Sequence, residues 1–156
     1  MMDTMSSIPT GGNNTSLKFS VVENKSVMKK LNEAIFGKNY QMSLFGEDTE
    51  NDFSRLRLYN APCCFIAYKT NRTKFKNGTM TDPGMSIAYF DLLANSYGLG
   101  CIITNQTADL ISKSKNARRV LNIPEDYEIL AVVGFKYPEI EFARGVEKKK
   151  KTAYLK

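Results

Sequence analysis

The chain has 156 residues, 42% of them hydrophobic and 24% charged, enough for one globular domain with a real core and too few for two of ordinary size. Histidine is absent, which excludes Ser-His-Asp and Cys-His arrangements, His-ligated zinc or haem, and a histidine general base. Redox or acid–base chemistry must therefore come from a bound cofactor or from Tyr, Lys and carboxylates. The net charge of +6 owes much to the lysines near the C-terminal end, Lys148 to Lys151; a solvated arm and a phosphate or nucleic-acid contact are both open readings there.

Residues 1 to 7 read as the last turns of a helix. They carry an acidic residue and no basic n-region, unlike a secretory signal, and no apolar run in the chain approaches the roughly 20 residues that span a bilayer. The expectation is a cytoplasmic protein with no membrane partner, in which Asn-x-Ser/Thr matches such as Asn14-Thr15-Ser16 carry no glycosylation.

"PTGGNN" (residues 9 to 14) comes next. It is neither a P-loop, since no Gly-Lys-Ser/Thr follows, nor a Gly-x-Gly-x-x-Gly fingerprint. It reads either as a plain turn or as a place where Gly11 and Gly12 let backbone N–H groups approach a planar ligand beside the Asn13 amide. "SLKFSVV" (16 to 22) alternates and predicts a strand. Asn24 and Ser26 can cap a helix over "SVMKKLNEAIFG", with Val27, Met28, Leu31, Ala34 and Ile35 on one face and Gly37 as its C-cap. Residues 38 to 60 show no clear period. "APCCFIAYK" (61 to 69) suits a buried strand, in which Cys63 and Cys64 read as small core residues; with Cys101 they form no Cys-x-x-Cys pair, so a zinc ribbon and an iron–sulfur cluster are both unsupported. "TNRTKFKNGTM" reads as a loop turning at Asn77-Gly78.

A helix follows in which Asp82 is the cap and Pro83 the first helical residue. Met85, Ala88, Tyr89, Leu92, Leu93 and Ser96 form a broad, mostly apolar face, which Ile87 and Phe90 widen nearly all the way round, as suits a helix central to the fold. Gly98 is either a C-cap or part of a site formed with "GLGCIITNQT" (98 to 107). "CIIT" predicts a strand, residues 107 to 121 one amphipathic helix with Lys113, Lys115, Arg118 and Arg119 on its wet side, and "ILAVVGF" (129 to 135) a buried strand. The last twenty residues read as extended and basic. Alternating helices and strands without repeats imply an α+β or α/β arrangement around one central sheet.

In order and spacing, these segments resemble the nitroreductase family of flavin-dependent oxidoreductases. The likeness rests on Pro9-Thr10-Gly11-Gly12-Asn13 before a strand, Ala61-Pro62 opening the next strand, "DLLANSYGLG", "LNIPEDYEILAVVGFKYP" and the basic end "ARGVEKKKKTAYL". It covers residues 1 to 155, and the Pro-Thr-Gly-x-Asn variant is most similar to members fused behind a ferredoxin-type module.

The resemblance implies an α+β, nitroreductase-like fold, a central mixed or antiparallel β-sheet flanked by helices, in a homodimer with FMN at each subunit interface. It implies one domain over residues 1 to 156, with 145 to 156 as a basic C-terminal arm. The family's opening helix and Arg-x-x-Arg-like phosphate clamp have no counterpart here, so the expectation is an N-terminally truncated member. By resemblance, Pro9, Thr10, Gly11 and Asn13 line the isoalloxazine across the dimer boundary. The backbone of Ile103, Thr104 and Asn105 faces flavin N5 and the pyrimidine edge, and Arg144 and Lys148 hold the phosphate. No catalytic side chain and no metal is assigned, because the flavin carries the hydride chemistry. The implied reaction is reduction of nitro or quinone-type small molecules by a reduced nicotinamide such as NADPH or a ferredoxin-type donor; the alternatives are a degenerate, non-catalytic flavin-binding dimer of the same fold and, from another class, a small basic nucleic-acid-binding domain. Nucleic acid ranks below a phosphate-bearing ligand, because no recognition helix or aromatic-interleaved basic sheet accompanies the lysines.

Overall fold

The computed structural model describes residues 1–11, 16–37, 58, 61–70 and 81–139. In chain order these form α1 (Met2–Met5), β1 (Leu17–Val22), α2 (Lys25–Phe36), β2 (Cys63–Thr70), α3 (Thr81–Ser96), β3 (Gly100–Ile103), α4 (Asn105–Lys113), α5 (Lys115–Leu121) and β4 (Tyr127–Lys136). The four strands make one sheet in the order β1-β2-β4-β3, every pair antiparallel. Of the mixed or antiparallel sheet expected, the antiparallel form is the one observed.

Helices cover both faces. Cys64 and Ile66 of β2 point to one face and join Met28 and Leu31 of α2, Ala108 and Ile111 of α4, and Ala117 of α5. Phe65 and Ala67 point to the other and join Met5 of α1 and Phe90 and Ala94 of α3. This is the period of two that a strand buried on both sides requires. On the second face Phe65 stacks on Phe90 at a centroid distance of 4.3 Å and on Phe19 at 5.1 Å, while Phe135 meets Phe90 edge-on at 5.4 Å.

β4 does not alternate cleanly. Ala67 pairs with Ala131 but Tyr68 pairs with Ile129, leaving Leu130 as the extra residue of a bulge. The bulge shifts the phase by one residue, so that Ile129 and Val132 both reach the first core while Val133 and Phe135 reach the second. A continuous apolar run such as "ILAVVGF" hides that shift. Further along, a Cβ on Gly134 would meet Ala61 Cβ at 2.9 Å and the Leu58 carbonyl oxygen at 3.2 Å. Glycine there lets the segment through Leu58 and Ala61 lie directly on the sheet.

Local signals explain the helix limits. The Asn24 side chain accepts from the Ser26 and Val27 N–H groups at 2.9 and 3.3 Å, and Gly37 ends α2 at φ 90. The expected face of α2 is the one that packs. α3 ends as expected at Gly98 (φ 73), where Gly98 N–H donates to the Asn95 carbonyl and Leu99 N–H to the Ala94 carbonyl, a Schellman closure.

Three expectations are corrected. The core stripe of α3 is Asp82, Pro83, Ser86, Phe90 and Ala94; of the broad apolar surface expected, Phe90 is fully buried, while the face through Met85, Ala88, Tyr89, Leu92, Leu93 and Ser96 is not the core side. Leu92 is 72% exposed and Tyr89 49%; in a helix apolar nearly all round, periodicity cannot choose the buried side. The helix over 107 to 121 is two helices, starting earlier at Asn105 and broken at Ser114. The Ser114 hydroxyl accepts from Ala117 N–H and donates to the Ala34 carbonyl, both at 3.1 Å, capping the second helix and tying it to α2. Arg118 is not on the wet side. Its guanidinium donates to the carbonyls of Ser112, Pro124 and Tyr127 at 3.1, 2.9 and 2.9 Å, clamping α4, the following turn and the start of β4 together.

Candidate functional site

Among the described strands β3 lies at one edge of the sheet, and its C-terminal end passes directly into α4. The Thr104 N–H donates to the Val132 carbonyl at 2.8 Å, carrying the β3–β4 ladder one residue past the strand. Its hydroxyl accepts from Thr107 N–H at 3.3 Å and bonds the Thr107 hydroxyl at 3.0 Å, so Thr104 is the N-cap of α4. Thr104 is buried; Ile103 before it is 48% exposed and Asn105 after it is exposed. The first-turn N–H groups of Asn105 and Gln106 are donors that α4 itself cannot satisfy, and they carry the helix's partial positive charge.

The expectation for this segment is thus sharpened residue by residue. Thr104 cannot offer its backbone N–H to a ligand, because the sheet uses it. Asn105 and Gln106 open α4 after the cap, and the exposed Ile103 precedes it. A sequence shows which residues can cap; it does not show which amides the cap leaves over.

The other segment is the loop before β1. Pro9 and Gly11 are exposed and Thr10 is half-buried. The Gly11 N–H donates to Asp82 Oδ1 at 3.0 Å across 71 residues of sequence. Asp82 is only 6% exposed. Sequence reading made Asp82 a cap for its own helix; the structure places it inside the first turn of α3 with its carboxylate on the incoming loop. Nothing in the local sequence could have found that pairing. Asn13, Arg144 and Lys148 lie outside the described residues.

Register places the two segments relative to the sheet. β1 begins at Leu17 opposite Lys69, and Lys69 lies opposite Glu128 near the start of β4. β3 runs from Lys136 towards that same end, since Gly100 faces Lys136 and Ile103 faces Val133. α3 agrees: the Asp91 carboxylate lies beside the Cys101 thiol, and Asp82, nine residues earlier, stands about 13 Å up the helix axis. Loop and β3 exit therefore share one end of the sheet. The strands they flank occupy opposite edges, however.

The cysteines offer no competing chemistry. Burial first, then the neighbouring Cys63, pushes the Cys64 thiol up to about 12. Burial first, then the charge and hydrogen bond of Asp91, raises Cys101 to about 11. Burial and Glu23 raise Cys63. Thiols held protonated are poor nucleophiles and ligands. All three are free, and among the described residues no group of His, Cys, Asp and Glu could hold a metal ion. No helix among them is long and apolar enough to cross a membrane.

Comparison with known proteins places this arrangement. No curated protein matches the sequence. Solved structures do: a nitroreductase with bound FMN from Bacteroides fragilis NCTC 9343 is 18% identical with a TM-score of 0.71, over 99% of this chain and 83% of that one. A nitroreductase with bound FMN from Desulfitobacterium hafniense DCB-2 is 20% identical with a TM-score of 0.71, over the same shares. An FMN-dependent nitroreductase from Clostridium difficile R20291 is 15% identical with a TM-score of 0.66, over 99% and 87%. These likenesses establish the fold. The model of the nitroreductase family matches residues 1–135, from the first residue almost to the end of β4, and the chain belongs to the nitroreductase family.

Proposed function

We propose that this protein is an FMN-dependent oxidoreductase of the nitroreductase type, with residues 1 to 156 forming one nitroreductase-like domain. The observation that carries the reading is the family match over residues 1–135, on a fold shared with nitroreductases that hold FMN. The donor set fits a flavin. Its ring is flat, apolar on its faces and rich in acceptors along one edge. The exposed Ile103 side chain and the first-turn amides of Asn105 and Gln106 offer an apolar surface with N–H donors beside it. Bound FMN supplies hydride acceptance and return.

The chain's own residues bind, orient and exclude water. Ile103 covers apolar ring surface, Asn105 and Gln106 direct backbone N–H groups at ring acceptors, and Thr104 holds that helix start rigid by capping it. Pro9, Thr10, Gly11 and Asn13 form the opposing wall, and Arg144 and Lys148 neutralise the phosphate. The absence of histidine is no obstacle, because no step here asks a side chain for a proton at neutral pH.

The site is completed in a homodimer. Within one protomer the two walls flank strands at opposite edges of the sheet, and α3 turns Tyr89 and Leu92 outward, with Tyr97 after it 58% exposed. A second copy covers that apolar surface and brings its loop to the partner's β3 edge. Substrates are nitro or quinone-type small molecules, and the donor is a reduced nicotinamide or a ferredoxin-type protein.

The test is purification and spectroscopy. Flavin absorbance in the purified protein, with turnover of a nitroaromatic by reduced nicotinamide, is the expected result. Flavin without turnover with either class of donor identifies the non-catalytic alternative. Substituting both Arg144 and Lys148 by Ala is expected to weaken FMN retention; unchanged retention would remove those two from the phosphate site.

A further inference from the structure

Asp82 is a buried carboxylate to which the reading above gives no role. It sits in the first turn of α3, where the helix dipole favours a negative charge. Its helix is anchored by Phe90 and Ala94, both fully buried, and by the buried Ser86 hydroxyl, which donates to the Asp82 carbonyl at 2.8 Å. The carboxylate therefore stands on a rigid base. What it holds is not rigid in itself: Gly11 is exposed and has no side chain with which to anchor the loop.

We propose that Asp82 is the positioning residue of the cofactor wall, its Oδ1 fixing the Gly11 N–H and so setting where the Pro9–Gly11 backbone stands relative to the flavin. The inference rests on the FMN reading above. A backbone N–H bonded to a carboxylate is a charge-assisted hydrogen bond, shorter and stronger than a neutral one. At 3.0 Å and with Asp82 only 6% exposed, water competes for it weakly. Proline at position 9 and a tether at position 11 then leave Thr10 little freedom. Asp82 touches neither substrate nor ring; it acts through Gly11.

The experiment uses the full chain, with and without FMN. Three quantities are measured: hydrogen exchange at the Gly11 amide in the flavin-free protein, the FMN dissociation constant by quenching of flavin fluorescence, and the visible circular dichroism of bound FMN. D82A is expected to speed Gly11 exchange, weaken FMN binding roughly ten- to a hundredfold, the size of a lost charged hydrogen bond, and alter the dichroism. D82N keeps an acceptor at the same place but not its charge, and is expected to bind FMN between wild type and D82A, within about tenfold of wild type. G11P removes the donor instead of the acceptor and should match D82A, with the double variant no worse than either.

Should D82A fail to fold, G11P and D82N decide the matter. A folded D82A or G11P protein with wild-type FMN affinity and dichroism overturns the proposal, as does a D82N protein that behaves like D82A. Wild-type protein that binds no FMN overturns the FMN reading and this inference with it. Wild-type affinity for FMN alongside silent variants overturns the inference alone.

Discussion

On one face of the sheet, α2, α4 and α5 close over Leu31, Ile66, Ile111 and Val132. Each of these helices is capped by a side chain from the preceding residue: Asn24, Thr104 and Ser114. On the other face a single long helix, α3, lies over the aromatic stack of Phe19, Phe65, Phe90 and Phe135 and presents Tyr89 and Leu92 outward. Among the described residues, three helices pack on the first face, whereas α3 on the second leaves Tyr89 and Leu92 exposed. That contrast separates packing within the protomer from an exposed apolar surface on which association can be tested.

The largest expected effect is on the aromatic stack. Phe90→Ala removes a fully buried ring that meets two others and is expected to cost about 3–5 kcal/mol in denaturant unfolding. On the first face, Arg118→Ala leaves three carbonyls without their shared donor and is expected to cost about 1.5–3 kcal/mol by the same measurement. A loss as large as that of Phe90→Ala would mean that the clamp, rather than packing, dominates cohesion. Between the faces, Gly134→Ala drives a methyl into Ala61 and the Leu58 carbonyl, with an expected loss of about 1–3 kcal/mol.

The alkaline response is read separately, as a pH-dependent shift in melting temperature. The thiols of Cys64 and Cys101 are raised from 9.0 to about 12 and about 11. Above pH 9 the unfolded chain has released protons that the folded chain keeps, so stability is full below pH 9 and falls as pH rises through the folded values. The melting temperature should therefore drop from about pH 9 upward, with a shallower drop in C64A. The smallest effect on the protomer is expected from Leu92→Glu. At a site 72% exposed it should change protomer stability by less than about 0.5 kcal/mol, while shifting the protein towards monomer in sedimentation. An unchanged oligomeric state would move the dimer contact away from α3.

How much of this was legible in the sequence depended on the kind of signal. Asn24, Gly37 and Gly98 announce helix ends because capping is a property of single residues, and α2 shows its core face because its polar side is unmistakable. The buried side of α3 was not legible, since Tyr89 and Leu92 are as apolar as Phe90 and only the fold chooses among them. Ser114 caps α5 through the nearby Ala117 N–H but also bonds Ala34, 80 residues away, and the bulge at Leu130 shows only in the pairing of β4 with β2. The capping signal is local; the tie to α2 and the register shift are not. For the site, the positions Pro9 to Gly11 and Ile103 to Asn105 came from family resemblance rather than from periodicity. What the residues could not disclose is the commitment of the Thr104 N–H to Val132 and the tether of Gly11 to Asp82.

The central claim is tested most directly by titrating FMN into the purified protein, following flavin fluorescence and the melting temperature together. Saturable quenching with a concentration-dependent rise in melting temperature is the predicted result. A colourless protein whose fluorescence titration shows no saturation and whose melting temperature does not move at any FMN concentration would contradict it.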